Sequence, residues 1–135
     1  MVREEKCIVM DLDGTLCPVR LPRQHYDDLE PYADMLSKLR EYRAQGFYII
    51  LYTSRNMRTY GGNMGLITAN TAKSTMAWLD RHQIPYDEIH FGKPWASHAG
   101  FYVDDRAVRP DEFLRMSFAE IEELLSPAEE AASYE

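Results

Sequence analysis

Four short runs of apolar and β-favouring residues punctuate the chain: CIVMDL at 7–12, FYIILYT at 47–53, EIHF at 88–91 and GFYVDD at 100–105. Each has the length and composition of a buried strand, and the segments between them repeat apolar residues at helical spacing. After the first run, Tyr32, Met35, Leu36, Leu39 and Tyr42 share one face, with Pro31 suited to the first helical position and Gly46 to the stop. A second helix is predicted from Thr71 to His82, capped by Asn70 or Thr71 and turning Ala72, Met76 and Leu79 inward. A last helix follows Arg109 and Pro110, and within it Ser117 and Glu120 form a capping-box pattern ahead of Ile121, Leu124 and Leu125. Nearly continuous apolar strands alternating with helices predict an α/β fold. The sheet is expected to be mostly parallel, doubly wound and covered on both faces, giving a three-layer domain with right-handed crossovers. The long irregular piece is SRNMRTYGGNMGLI, residues 54–67, whose glycines suggest a mobile lip.

The strands break their own pattern at one end. The first terminates in Asp11 and Asp13, followed by Gly14 and Thr15; the second in Thr53, Ser54 and Arg55; the fourth in Asp104, Asp105 and Arg106. Lys93 follows the third. A buried unpaired carboxylate is costly, so such residues persist where a cation sits among them or where the strand end is the working surface. Parallel sheets bind ligands at the carboxyl ends of their strands, so all these groups are expected at one rim. Carboxylates, a hydroxyl and a lysine together suit Mg²⁺ and a phosphate group. The chemistry that uses this set is phosphoryl transfer through an aspartyl-phosphate: a carboxylate attacks, cations neutralise the approaching anion, and a second acid protonates the leaving oxygen. The Thr hydroxyl and main-chain N–H groups would hold the phosphate oxygens.

At 135 residues the chain is long enough for one ordinary domain, read as residues 1–125 with an acidic, flexible tail at 126–135. The net charge of −7 disfavours a nucleic-acid surface, although acids gathered on a divalent ion leave phosphate chemistry open. No membrane partner is expected, because no run approaches the roughly 18 apolar residues of a span, and the charged start MVREEK lacks a leader's apolar region. A cytoplasmic location follows as the expectation. Cys7 and Cys17 stand outside any metal-binding pattern and are expected as buried free thiols.

DLDGTL, a strand ending in Thr53, Lys93 and VDD together resemble the four motifs of the haloacid dehalogenase superfamily of phosphatases, in order. WLDRHQIPYDEIHFGKPW and GFYVDDRAVRPDEF are similar to the small capsular polysaccharide biosynthesis phosphatases, over roughly residues 5 to 115. The resemblance implies a capless Rossmannoid hydrolase of sugar phosphates in surface or capsular polysaccharide synthesis, dependent on Mg²⁺. It makes Asp11 the nucleophile and Asp13 the general acid and base. Thr53 would bind the phosphoryl group and Lys93 would neutralise it. Ser54 and Arg55, next to Thr53, are candidates for the substrate, while Arg55, like Arg106 and Arg109, is equally suited to a structural ion pair with a neighbouring carboxylate. The Asp11 carboxylate, the Asp13 carbonyl and Asp104 would hold the metal, with Asp105 acting directly or through water; which of Asp104 and Asp105 is the direct ligand stays open. The acid at position 13 argues against dehalogenases, which lack it, and transport ATPases, which carry threonine there.

Without a cap, the wall of the site has to come from elsewhere: residues 55–65 as a partial lid with Arg55 and Arg58 facing the anion, or a second copy in a homo-oligomer. Trp95, beside Lys93, could floor the site. The alternatives are a nucleic-acid end phosphatase, since VDDR also occurs in polynucleotide kinase phosphatase domains, and a non-catalytic Mg²⁺-dependent binding module. A receiver domain is disfavoured because the third strand, EIHF, ends without an Asp. The four histidines, His25, His82, His90 and His98, lack partners at ligand spacing and read as surface or packing residues, with His98, near KPW, the first candidate for an exception.

Overall fold

A computed structural model describes residues 6–127, so most of the expected tail lies outside the described residues. The chain divides into two compact units, Met1–Trp95 and Ala96–Glu135.

In the first unit, β1 (Cys7–Met10), β2 (Tyr48–Thr53) and β3 (Glu88–Phe91) form a parallel sheet in the order β1-β2-β3. Cys7 pairs with Tyr48 and Met10 with Leu51; Ile50 pairs with Glu88 and Thr53 with Phe91. The β1–β2 crossover carries α1 (Ala33–Ala44), and the β2–β3 crossover carries α2 (Met64–Ile67), a π-helical turn at Thr68–Ala72 and α3 (Lys73–Arg81). Strands that step in one direction with right-handed crossovers place both helical segments on the same face. Arg40 of α1 accordingly donates to the carbonyls of His82 and Gln83 just past α3. The covered face of β2 carries Ile49, Leu51 and Thr53, all buried, against Met35 and Leu39 of α1 and Trp78 and Leu79 of α3 in the core. The opposite face is half polar. Tyr48 donates to Glu88 at 2.6 Å, Tyr52 meets the His90 ring edge-on, and Val9 is 61% exposed. Within this unit, α1 and α3 lie on one face of the sheet.

Local chemistry explains most element boundaries. Helix α1 begins two residues later than its proline suggests, with Tyr32 in the extended cap position, and ends where Gly46 takes φ 88° and Phe47 N–H returns to the Tyr42 carbonyl. The second helix begins at Met64, well before Thr71, because Asn63 is its cap and accepts from Leu66 N–H at 3.1 Å. Asn70 lies inside the helix and donates back to the Leu66 carbonyl. Met76, expected inward, is 42% exposed, and Thr75 is buried in its stead.

The second unit contains α4 (Pro110–Arg115) and α5 (Phe118–Leu125). Proline opens α4, as expected. The reciprocal Ser117 and Glu120 bonds, 3.2 and 2.9 Å, start α5 as a separate helix, so the single predicted helix is two. Residues 100–105 form no strand among the described residues, contrary to the sequence reading; Phe101 and Val103 are 80% and 88% exposed. Strand composition is not enough, because a strand exists only when a neighbour completes its ladder. No helix among the described residues is long and apolar enough to cross a membrane.

Candidate functional site

The carboxyl ends of the three parallel strands lie at one edge, and the polar residues follow them. The β1 strand ends at Met10, and the chain then folds into a tight turn in which the amides of Thr15, Leu16 and Cys17 all converge on the Leu12 carbonyl, while Gly14 N–H bonds the Cys17 carbonyl at 2.7 Å. Gly14 holds φ 85°, a conformation costly for any residue with a Cβ. The amides of residues 14–17 are engaged within the turn, so any main-chain donors to a phosphate come from other residues.

Asp11 emerges from this turn between two donors. Thr15 Oγ1 donates to Oδ2 at 3.2 Å, and Lys93 Nζ lies 3.4 Å from Oδ1. Burial pushes the Asp11 carboxyl above its ordinary range, with the Asp13 charge adding to the rise, against the opposing pull of Lys93 and Thr15. One lysine thus leaves the Asp11 charge incompletely compensated, a deficit that a divalent cation on hard oxygen donors would offset. Lys93 is set in place by its own backbone, whose N–H bonds the Thr53 carbonyl at 3.1 Å. The turn before it uses Gly92 at φ 90°, where a Cβ would come within 2.6 Å of Met64 Sδ.

Asp13 is held differently. Arg55 Nε donates to Oδ2 at 3.0 Å and to Oδ1 at 3.3 Å, Nη2 donates to Oδ1 at 3.0 Å, and Cys17 Sγ donates to Oδ1 at 3.5 Å. The Arg55 side chain is wholly inaccessible while that of Asp13 remains 20% exposed. Of the two roles open to Arg55, substrate contact and an ion pair with a neighbouring carboxylate, the structure shows the second. Its guanidinium lies 4.3 Å from the Tyr26 ring centroid and 5.2 Å from that of Trp78, and Nη1 donates to Thr75 Oγ1 at 3.5 Å. Burial pulls the Arg55 pKa down, but the hydrogen bonds and charge of Asp13 outweigh it and raise the group above its ordinary value. Arg55 N–H also donates to Thr53 Oγ1 at 3.1 Å, which leaves the threonine's own proton to donate elsewhere. Ser54, half-buried, stands between them.

The segment expected as a mobile lip is built from successive turns. Met57, Tyr60, Gly62 and Asn63 amides bond back to Ser54, Asn56, Met57 and Tyr60 carbonyls. Asn56, at φ 60°, ties the segment to the helix by accepting from Thr71 Oγ1 at 2.7 Å. Arg58 lies over the ring of Trp95, 5.6 Å from its centroid, and Trp95 is 40% exposed. Asp11, Asp13, Thr53, Ser54, Arg55 and Lys93 thus belong to one unit and one set of strand ends. Asp104 and Asp105 belong to the second unit, where both are exposed and Asp104 Oδ1 accepts from Arg106 N–H at 2.8 Å. Sequence reasoning missed Tyr26 and Thr75 altogether, since neither carries a motif. Two of the histidines have other partners: His82 packs on Trp78 and His90 pairs with Glu88.

The two thiols differ, and only one is buried. Cys7 is exposed because it lies on the uncovered face of the sheet; Cys17 is fully buried, and its pKa is pushed up to about 12, first by burial and then by the Asp13 charge. At pH 8 roughly one Cys17 in ten thousand would be a thiolate. Iodoacetamide should therefore modify the folded protein at Cys7 alone and both cysteines after denaturation, as read by peptide mass.

A crystal structure of an MCSG target from Vibrio cholerae is similar to this chain, with 50% identity and a TM-score of 0.84 over 90% of this chain and 97% of that one. A chain in a structure of the Pnkp1/Rnl/Hen1 complex matches at 23% identity and a TM-score of 0.48, over 82% of this chain and 34% of that one, too slight a likeness to carry an argument. No protein-family model and no curated protein matches.

Proposed function

We propose that this chain, which belongs to the same family as the Vibrio cholerae protein, is a phosphomonoester hydrolase of the haloacid dehalogenase type, acting through an aspartyl-phosphate on Asp11; the reading rests on the site residues and the motif resemblance. The observation that carries this reading is the paired arrangement of two carboxylates with opposite environments: Asp11 desolvated beside Lys93 and Thr15, Asp13 pinned by Arg55 two residues on. Environments that separate two nearby carboxylates assign them different roles. A carboxylate stripped of much of its water and held beside an ammonium group serves as nucleophile.

In the first step an Asp11 oxygen forms a bond to phosphorus as the ester P–O bond breaks. Asp13 gives its proton to the departing alkoxide. Lys93 offsets the negative charge brought together, and the Thr53 hydroxyl donates to a phosphoryl oxygen. In the second step Asp13 takes a proton from water as that water attacks phosphorus, releasing inorganic phosphate and restoring Asp11. Mg²⁺, when bound, would lower the repulsion between Asp11 and the phosphoryl group; the Asp11 carboxylate and the Asp13 main-chain carbonyl fit it as hard oxygen donors. The motif resemblance adds Asp104 or Asp105 as a further ligand.

No cap is inserted after Asp13 or beyond Thr53, and a small substrate would meet the wall made by Arg58 and Trp95. A sugar phosphate of surface polysaccharide synthesis is the substrate class that the sequence resemblance favours. The test is phosphate release from a panel of sugar phosphates, nucleotides and 3′-phosphorylated oligonucleotides, with Mg²⁺ and with chelator. Mg²⁺-dependent release from sugar phosphates is expected. Preference for oligonucleotide ends would identify an end phosphatase, and no release from any ester would leave a binding module.

A further inference from the structure

An arginine with no solvent-accessible side chain needs a reason, because long charged side chains are rarely buried unless paired. Arg55 follows directly on the strand end that carries Thr53, yet it cannot touch a substrate. We propose that Arg55 is a positioning residue that fixes the Asp13 carboxylate for proton transfer and leaves Oδ2 as the oxygen that carries the proton; this rests on the hydrolase function proposed above.

The geometry separates the two oxygens of Asp13. Oδ1 is crowded by Arg55 Nη2 at 3.0 Å, Arg55 Nε at 3.3 Å and Cys17 Sγ at 3.5 Å. Among the described residues, Oδ2 accepts only from Arg55 Nε, at 3.0 Å. A carboxylate oxygen has two lone-pair directions, so Oδ1 is saturated and Oδ2 retains capacity for a proton. The fork geometry of the guanidinium also fixes the plane of the carboxylate, which a lysine's point charge cannot do.

Arg55 is itself immobilised from three other sides. Tyr26 covers it at 4.3 Å, Trp78 stands at 5.2 Å, and Thr75 accepts from Nη1. Trp78 is locked by its own bond from Nε1 to the Leu29 carbonyl at 2.8 Å, and Asp27, next to Tyr26, accepts from Arg81 through its carbonyl. The 25–30 loop and α3 thus clamp the arginine, the arginine orients the acid, and the same residue's main-chain N–H orients the Thr53 hydroxyl. The arrangement explains why polar threonines occupy the buried face of the helix, where apolar residues would be the ordinary choice.

The inference is tested with Arg55→Lys, which keeps the charge and loses the fork, and with Tyr26→Leu, which loosens the arginine without touching Asp13. For each, kcat/KM is measured on glycerol phosphate and on nitrophenyl phosphate, alongside thermal unfolding. This constant reports the steps through P–O cleavage, and only the alkoxide needs a proton as it leaves. Arg55→Lys should lower kcat/KM on glycerol phosphate about 100-fold and on nitrophenyl phosphate less than about fivefold. Tyr26→Leu should show the same bias at about tenfold, and it carries the test if Arg55→Lys does not fold. Equal losses on the two esters, or no loss on either, would overturn the positioning role while leaving the hydrolase reading intact. A parent protein that hydrolyses neither these two esters nor any in the panel above would refute that reading and this inference with it.

Discussion

Replacing Asp11 with asparagine is expected to remove turnover, by on the order of 10⁴-fold or more, while leaving the fold in place. The amide has the shape of the carboxylate and can still accept from Thr15, but it carries no charge and cannot attack phosphorus. Its environment makes the fold tolerant of the change. Burial already disfavours the ionised carboxyl at this position, so removing the charge relieves a desolvation cost, and Lys93, itself 20% exposed, can return to water. Steady-state phosphate release and thermal unfolding, measured on the same preparation, check both halves. A variant that keeps even a tenth of the parent's activity would place the nucleophile elsewhere.

Replacing Asp13 with alanine should have the opposite balance, costing stability as well as activity. The Arg55 guanidinium would stay buried with its charge partner gone, and breaking a buried ion pair from one side costs more than the pair contributes. Because Asp13 is 20% exposed and the Tyr26 and Trp78 rings remain to hold the cation, about 2 to 3 kcal/mol is expected, below the 3 to 5 of a fully enclosed pair. The sign can be checked with a second substitution. Adding Arg55→Met to Asp13→Ala removes the stranded charge, so the double variant should be more stable than Asp13→Ala alone in denaturant unfolding. A double variant less stable than either single one would mean that Arg55 is held by its rings and Thr75, with Asp13 incidental.

The strand ends were readable in the sequence because each motif interrupts an apolar run, and an acid or lysine at the end of a parallel strand has few structural uses. That placed Asp11, Asp13, Thr53 and Lys93 at one edge, as the three-stranded parallel sheet does. For Arg55 the sequence left a substrate contact and an ion pair equally open, and its burial was not readable. Nothing in the sequence reveals that Tyr26, about thirty positions upstream in a short 3₁₀ helix (Tyr26–Asp28), folds back over Arg55. The second helix was misread for a related reason. Its buried face includes Thr71 and Thr75, which bond Asn56 and Arg55, so apolar periodicity pointed to Met76 instead. The π turn at Thr68–Ala72 adds to the error by shifting the helical phase, and such turns are frequent where a helix serves a site. Residues 100–105 show the converse limit. Their composition favours a strand, but pairing is a property of two segments, and one of them cannot announce it.

The central claim is a covalent bond between Asp11 and phosphorus, and trapping it is the most direct measurement. Acyl phosphates are reduced by borohydride where free carboxylates are not. The protein, mixed with Mg²⁺ and a turning-over phosphate ester, is quenched into borohydride, digested and mapped by mass spectrometry. Reduction of the side chain at position 11, dependent on the ester and absent in Asp11→Asn, is the predicted result. Phosphate release without any reduction at position 11, or reduction at Asp13 in its place, would contradict the account.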